Sequence, residues 1–212
     1  MSNYEKPDFW SQKAQRESYP ARSVYKLQEI DKKFSLLPKN QGQVGPNYRV
    51  LELGAAPGSW SLYVLRRFSG RGFLAACDIS PLSRRYDGGL FDGGNFFFKR
   101  ADIFTEETLS ELAALGPFDL LLSDAAPSTS GGRLIDAARS LELAEAVLLY
   151  ARAALKEGGG LCVKIFQGAD TADFIKKLRP SFASLNTFKP EACRASSFET
   201  YIVGRGALIT AG

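Results

Sequence analysis

The sequence predicts an α/β protein built on a mostly parallel sheet with helices on both faces. Three observations carry that expectation. From residue 50 onward short apolar runs alternate with amphipathic stretches across short connections, the signature of strand–helix–strand units. The chain has 212 residues, 45% hydrophobic and 24% charged, an ordinary balance for one globular domain. Behind one predicted strand after another stands a charge or a glycine turn, at the edge where open sheets of this kind hold their ligands.

Residues 1–20 are polar and aromatic without clear periodicity and read as an N-terminal arm, ahead of a single domain over 21–212. Phe9, Trp10 and Tyr19 sit there among Lys13 and Arg16, a mixture able to stack on unpaired bases. From 21 to 34, Val24, Leu27, Ile30 and Phe34 recur at helical spacing behind Pro20. Residues 39–47 form a loop by composition. The first strand is 50–53, followed by a glycine and proline turn and a helix over 59–68. The second strand, 72–77, ends at Asp78, and the third, 96–99, ends near Asp102 before a helix over 105–115. Residues 118–122 form a strand that runs into Ser123 and Asp124. The longest helix is expected to start near Asp136 as its N-cap and to stop at Gly158-Gly159-Gly160. Its core face would carry Leu141, Ala144, Leu148, Ala151 and Leu155. A strand over 161–166, a helix over 172–178 and strands over 185–188 and 201–203 complete the chain. The last two strands have too little chain between them for a parallel crossover, so their pairing is expected to be antiparallel.

Composition excludes several chemistries. The chain contains no histidine, which removes Ser-His-Asp and Cys-His centres, an HExxH zinc site and a histidine-ligated haem. Cys77, Cys162 and Cys193 are scattered without a CxxC pair, and two lie in apolar runs. They read as reduced core residues of a cytoplasmic protein, and no metal centre is expected. No apolar stretch approaches the roughly 20 residues that span a bilayer, and Ser2-Asn3-Tyr4-Glu5-Lys6 opens no signal segment, so no membrane partner is expected. The 27 basic and 23 acidic residues leave a net charge of +4. They are unevenly placed, with eight basic against five acidic in 1–39, seven against three in 65–100, and two against nine in 101–149. Such patterning gives the molecule a basic side suited to a polyanion.

The polar residues gather at the strand ends. Gly54-Ala55-Ala56-Pro57-Gly58-Ser59-Trp60 follows the first strand, and its glycines Gly54 and Gly58 let a ligand approach the backbone closely. The turn lacks the GxGxxG of a dinucleotide fold and the GxxxxGK[ST] of a phosphate loop. Asp78, about twenty residues on, stands where a carboxylate can hold both hydroxyls of a ribose. An adenosine-containing ligand without a required pyrophosphate fits these features; S-adenosylmethionine is one, and Asp102 could meet its adenine edge. Lys164 interrupts an apolar central strand, and two readings stand for it: a side chain snorkelling from the strand end, or one employed in chemistry. Burial and a neighbouring ammonium favour the neutral amine a base needs, and Lys26 is the candidate neighbour.

Several segments carry a resemblance when taken in order. They are Ala21-Arg22-Ser23-Val24-Tyr25-Lys26-Leu27; Leu53-Gly54-Ala55-Ala56-Pro57-Gly58-Ser59-Trp60; Asp78; Ser123-Asp124-Ala125-Ala126-Pro127; Val163-Lys164-Ile165-Phe166-Gln167-Gly168; and Lys189-Pro190-Glu191-Ala192-Cys193-Arg194 with Ser197-Phe198-Glu199-Thr200-Tyr201. Over 21–204 the chain resembles the FtsJ/RrmJ-type RNA 2′-O-ribose methyltransferases. That resemblance implies a Rossmann-like S-adenosylmethionine-dependent methyltransferase fold, with a mostly parallel seven-stranded sheet whose last strand is antiparallel. It implies a Lys-Asp-Lys-Glu tetrad on Lys26, Asp124, Lys164 and Glu199, and cofactor contacts at Gly58, Trp60, Asp78, Asp102 and Asp124. The implied substrate is RNA, first a uridine ribose in large-subunit ribosomal RNA, with tRNA 2′-O-methylation or a catalytically silent RNA-binding protein as alternatives. The sequence departs from many relatives in having Ser59 in place of a second glycine and an arginine- and glycine-rich loop over 81–95, a candidate RNA contact.

Overall fold

In chain order the strands are β1 (Arg49–Leu53), β2 (Phe73–Asp78), β3 (Phe96–Arg100), β4 (Phe118–Ser123), β5 (Leu155–Phe166), β6 (Phe182–Phe188) and β7 (Glu199–Ala207). They form one seven-stranded sheet in the order β3-β2-β1-β4-β5-β7-β6. The computed structural model describes residues 8–39, 44–128, 130–194 and 196–208. The first five strands are parallel, and β7 inserts antiparallel between β5 and β6.

Among the described residues six helices flank the sheet: α1 (Phe9–Arg16), α2 (Val24–Phe34), α3 (Ser59–Phe68), α4 (Glu106–Ala114), α5 (Arg133–Ala154) and α6 (Thr171–Leu178). The strands are apolar on both faces, as a sheet sandwiched between helices requires. Successive residues then feed opposite layers. Val50, Leu120, Leu122, Cys162 and Val203 pack with Leu27 and Ile30 of α2 and with Leu62 and Leu65 of α3. Leu51, Leu121, Leu161, Val163 and Ile202 pack on the other side with Leu112, Val147, Tyr150 and Phe174. Cys77, Cys162 and Cys193 are free and buried. Among the described residues no helix is long and apolar enough to cross a membrane.

The connections leave β1 toward β2 and β3 on one side and pass to β4 and β5 on the other, so the C-terminal ends of β1 and β4 open a crevice. Gly54 sits in that crevice with φ +77°, and a Cβ there would lie 2.5 Å from the Ala125 Cα. The two strand-end turns therefore approach so closely that only glycine fits.

The reading of the longest helix is corrected in three respects. The longest helix starts at Arg133, three residues before Asp136; Asp136 is buried and accepts from the Ser130 N–H (2.7 Å) and hydroxyl (2.8 Å), so it ties down the preceding loop instead of capping. Its buried face carries Ser140, Ala144, Val147, Tyr150, Ala151 and Ala154, so Ala144 and Ala151 stand on the core face as expected, while Leu141 and Leu148 are half-buried at its edge. The glycine run does not end the helix. The chain is already extended at Leu155, and Lys156 pairs with Asp119 at 2.8 Å. Gly158, with φ +76°, belongs to an excursion of β5, whose pairing with β4 jumps from Leu155 opposite Phe118 to Gly160 opposite Leu120.

Residues 9–16, read as aperiodic, form α1. Asp8 caps it by accepting from the Ser11 N–H at 2.8 Å. The Trp10 ring lies 5.1 Å from that of Tyr25, Lys13 sits over Tyr25 at 4.5 Å, and Tyr19 is buried, so among the described aromatics of the arm Phe9 is the one left largely exposed. Tyr4 lies outside the described residues.

Candidate active site

Pairing of β5 with β7 sets the centre. Lys164 stands opposite Tyr201, and Phe166 opposite Glu199. Paired residues share a face and side chains alternate with period two, so all four project to one side of the sheet. Lys164 is buried, with its Nζ 3.0 Å from Asp124 Oδ1 and donating also to the Asp124 carbonyl. The Tyr201 hydroxyl donates to the same Oδ1 at 2.7 Å. Lys26, on the first turn of α2, reaches the face from the helix layer, and its Nζ donates to Glu199 Oε2 at 2.8 Å. The structure thus brings Lys26, Asp124, Lys164 and Glu199 together from four separate elements, as two ion pairs.

Tyr201 was given no role by the sequence reading. Its phenol is fully buried, and burial together with the Asp124 and Glu199 carboxylates holds it protonated far above its ordinary range, a permanent donor. The signal that would have found it is its position opposite Lys164, which needs the strand register. Burial works to lower the Lys26 pKa, but Asp124 and Glu199 outweigh it and the net direction is upward, so Lys26 is an ammonium at neutral pH.

Beside this centre lies a cavity of about 600 Å³ at the strand ends. Gly54, Asp78, Asp102 and Asp124 line it, and Asp124 therefore belongs to both the cavity and the lysine pair. Asp78 is fixed by backbone donors, with Ala56 N–H on one oxygen and Ser80 N–H on the other, both at 2.8 Å. Asp102 accepts from the Phe104 N–H at 2.9 Å. Exposed Ile79 and Phe104 flank these acids with apolar surface. A polar edge on apolar walls suits a nucleoside, so the residues present fit an adenosine-type cofactor.

Gly58 and Trp60 are not among the lining residues. Gly58 has φ +101°, and a Cβ there would meet the Phe91 ring at 2.9 Å; it is required by the loop packed over the turn. The Trp60 side chain is buried, donates through Nε1 to the Ser23 carbonyl at 2.8 Å and packs on Tyr201 with ring centroids 5.9 Å apart. The expectation that its indole faces the pocket is corrected: the first turn of α3 points it into the helix layer, where it holds α2 against the centre.

Other polar groups serve the frame. Glu29 of α2 accepts from the Glu191 and Ala192 N–H groups at 2.7 and 2.9 Å and pins the loop before β7. Arg22 pairs with Asp8 and donates to the Ala192 carbonyl. Lys189 donates to the Ser197 carbonyl at 2.6 Å, while Arg194 is exposed. In the 81–95 loop Arg84 is engaged by Asp87 at 3.1 Å and by Asp92, so it is not a free RNA contact. Ser128 lines the cavity, and Thr129 lies outside the described residues.

Glu52 of β1 is fully buried next to the site. Burial pushes its carboxyl up to about 8, against the bond it accepts from the Ser61 hydroxyl at 2.6 Å, and nearby Asp124 and Asp78 add to the rise. Its Oε1 has no hydrogen-bond partner among the described residues.

A glycine turn after β1, acids after β2, β3 and β4, and a final strand inserted antiparallel beside β5 define the class of α/β methyltransferases. Within it, the FtsJ-like methyltransferase model matches residues 19–207, and the chain belongs to that family. The family takes its methyl group from S-adenosylmethionine, and this chain is an S-adenosylmethionine-dependent methyltransferase. The chain is 47% identical to ribosomal RNA large subunit methyltransferase E of Treponema denticola, covering 96% of both chains. It is 41% identical to the protein of the same name in Borreliella afzelii, covering 93% of this chain and 97% of that one. Among solved structures, a ribosomal RNA methyltransferase from Plasmodium falciparum matches with TM-score 0.73 and 26% identity over 91% of this chain and all of that one. Fibrillarin of Aeropyrum pernix, solved with natively bound S-adenosyl-L-methionine, shares the fold with TM-score 0.57 and 21% identity, over 86% of this chain and 76% of that one.

Proposed function

We propose that the chain methylates a ribose 2′-hydroxyl of RNA, a uridine of large-subunit ribosomal RNA, acting in the cytoplasm through one methyltransferase domain over 21–212. The observation that carries this reading is the meeting of Lys164–Asp124 and Lys26–Glu199 beside a cavity that shares Asp124. The names of the Treponema and Borreliella relatives support the ribosomal substrate.

The geometry supports the following roles. Asp78 would hold the ribose hydroxyls of the cofactor, Asp102 would meet the adenine edge, and the turn at Gly54 and Ala56 would border the remainder. S-adenosylmethionine supplies a methyl carbon on a positively charged sulfur, already activated for displacement. Asp124 fixes Lys164 through two contacts, one to its carboxylate and one to its carbonyl, at the cavity border. Lys164 faces the 2′-hydroxyl and, in its neutral form, takes its proton on the free lone pair of the amine, and the Lys26 ammonium stabilises the negative charge building on that oxygen. Glu199 orients Lys26. Alignment of the hydroxyl contributes further, since holding two groups in register replaces a bimolecular encounter.

The test is transfer of labelled methyl from S-adenosylmethionine to naked ribosomal RNA, isolated large subunits and bulk tRNA, all from cells lacking the endogenous enzyme. Nucleoside mass spectrometry is expected to find 2′-O-methyluridine in large-subunit RNA. Label on a base, or in tRNA alone, overturns the assignment. Lys164→Ala is expected to lower the rate by about 10²–10⁴-fold. A rate independent of pH between about 6 and 10 would remove the proton-transfer role and leave Lys164 as an electrostatic holder.

A further inference from the structure

We propose that Phe166 and Phe198, with the guanidinium of Arg133, form the platform on which the base of the target nucleotide stacks while its 2′-hydroxyl meets Lys164. The inference rests on the RNA reading above and names what the site holds beyond the ribose.

Register supplies the first argument. Phe166 is two residues beyond Lys164 on β5 and opposite Glu199, so its ring emerges on the catalytic face, one step nearer the open edge. Two residues of a strand span about 6.6–6.8 Å. A nucleotide's base hangs from C1′, the carbon beside the one that bears the reacting oxygen. A 2′-hydroxyl at Lys164 therefore puts its base within about one such step, where Phe166 stands.

Exposure and chemistry supply the second. The aromatics deeper on this face, Tyr201 and Trp60, are fully buried, whereas Phe166 and Phe198 are only half-buried. Their rings meet edge to face at 4.7 Å and 60°, leaving ring surface toward solvent. The Arg133 guanidinium lies 5.2 Å from the Phe198 centroid on the exposed first turn of α5. Among the described residues Arg133 forms no salt bridge. Two hydrogen bonds, one within the backbone and one to a side chain, hold the rings' supports in place: the Gln167 N–H donates to the Phe198 carbonyl, and the Phe166 N–H to the Ser140 hydroxyl, both at 2.9 Å. Half-exposed aromatic faces next to an arginine plane, on rigid backbone beside a catalytic lysine, are the elements that stack unpaired bases. The competing account is a local apolar plug over the β5–β7 junction, which would need volume but no π-face.

Substitution at Phe198 separates the two accounts. Phe198→Tyr keeps the ring, Phe198→Leu keeps apolar volume without it, and Phe198→Ala keeps neither. Methyl transfer to large ribosomal subunits from cells lacking the endogenous enzyme is measured at saturating S-adenosylmethionine, with cofactor affinity by calorimetry and Tm alongside. Stacking predicts Phe198→Tyr within about twofold of the unmodified protein. Phe198→Leu and Phe198→Ala raise KM for the subunits by about 5- to 150-fold, at unchanged cofactor affinity. Arg133→Ala, at an exposed position where folding is not at stake, raises the same KM by about threefold. Full activity of Phe198→Leu, or activity lost in step with cofactor affinity and Tm, overturns the platform. If the unmodified protein labels no RNA, the RNA reading fails and the platform with it; if it labels RNA and Phe198→Leu does so equally, the platform alone fails.

Discussion

Tyr201→Phe removes one oxygen from the centre and leaves the rest of the side chain in place. The ring is fully buried against Trp60, with centroids 5.9 Å apart, so the substitution opens no cavity. What disappears is the 2.7 Å bond to Asp124 Oδ1. A hydrogen bond to a charged group contributes about 1.5–3 kcal/mol. For a chain of this length each kcal/mol moves Tm by about 2–4 °C, so the variant is expected to melt about 3–12 °C lower. Its effect on the rate is smaller than that of removing Lys164. The amine keeps both its contacts to Asp124, at the 3.0 Å carboxylate and at the main-chain carbonyl, but the carboxylate loses its second anchor. A loss of orientation corresponding to about 1.4 kcal/mol lowers kcat about tenfold. The measurement is kcat for methyl transfer at saturating cofactor and ribosomal subunits, beside a calorimetric Tm. A Tm within about 1 °C and a kcat within about twofold of the unmodified protein would refute the argument, because the buried phenol would then contribute nothing to holding Asp124.

Three further outcomes are expected. Asp78→Ala loses the carboxylate that the Ala56 and Ser80 amides orient toward the cavity, and S-adenosylmethionine affinity in a calorimeter should fall about thirtyfold or more. Trp60→Phe removes one donor from the Ser23 carbonyl, which keeps the Lys26 N–H at 3.1 Å, and should cost about 0.5–1.5 kcal/mol in denaturant unfolding at unchanged cofactor affinity; a tenfold loss of affinity would return the indole to the pocket. Glu52 gives a pH dependence of stability. Its carboxyl is raised to about 8 in the fold, so between its ordinary value and 8 the folded state binds more protons than the unfolded one. Stability then falls as pH rises through that window, by up to about 1.4 kcal/mol per pH unit from this group. Glu52→Gln, which copies the neutral carboxyl, should match the unmodified protein near pH 5 and exceed it at pH 8–9 in denaturant melts; equal pH slopes for the two would contradict the assignment.

Much of this was legible in the chain itself. Alternating apolar runs and short connections fixed the class of sheet, because a strand buried on both faces must be apolar throughout. Gly54, Asp78, Asp102, Asp124 and Lys164 could be placed at one edge from sequence, since in a parallel sheet all strand ends that follow the same sense share an edge. Local signals failed where tertiary contacts override them. Asp136 has the composition of an N-cap, yet its carboxylate is used by Ser130, and the helix starts a turn earlier. Gly158-Gly159-Gly160 reads as a helix stop, but Leu155 had already entered the sheet and Gly158 serves an irregularity in β5.

What the sequence by itself determined is which residue types stand at the ends of which strands, because that depends only on order along the chain and on period-two and period-3.6 patterns. What only the tertiary structure decided is who meets whom. Lys26 and Glu199 are 173 positions apart, and Tyr201 reaches Asp124 only because β7 pairs with β5 in one register. A one-residue slip would turn Lys164, Phe166, Glu199 and Tyr201 to different faces, and no local propensity sets that register. It is set by burial on both faces of the sheet at once, a property of the packed molecule and of no segment within it.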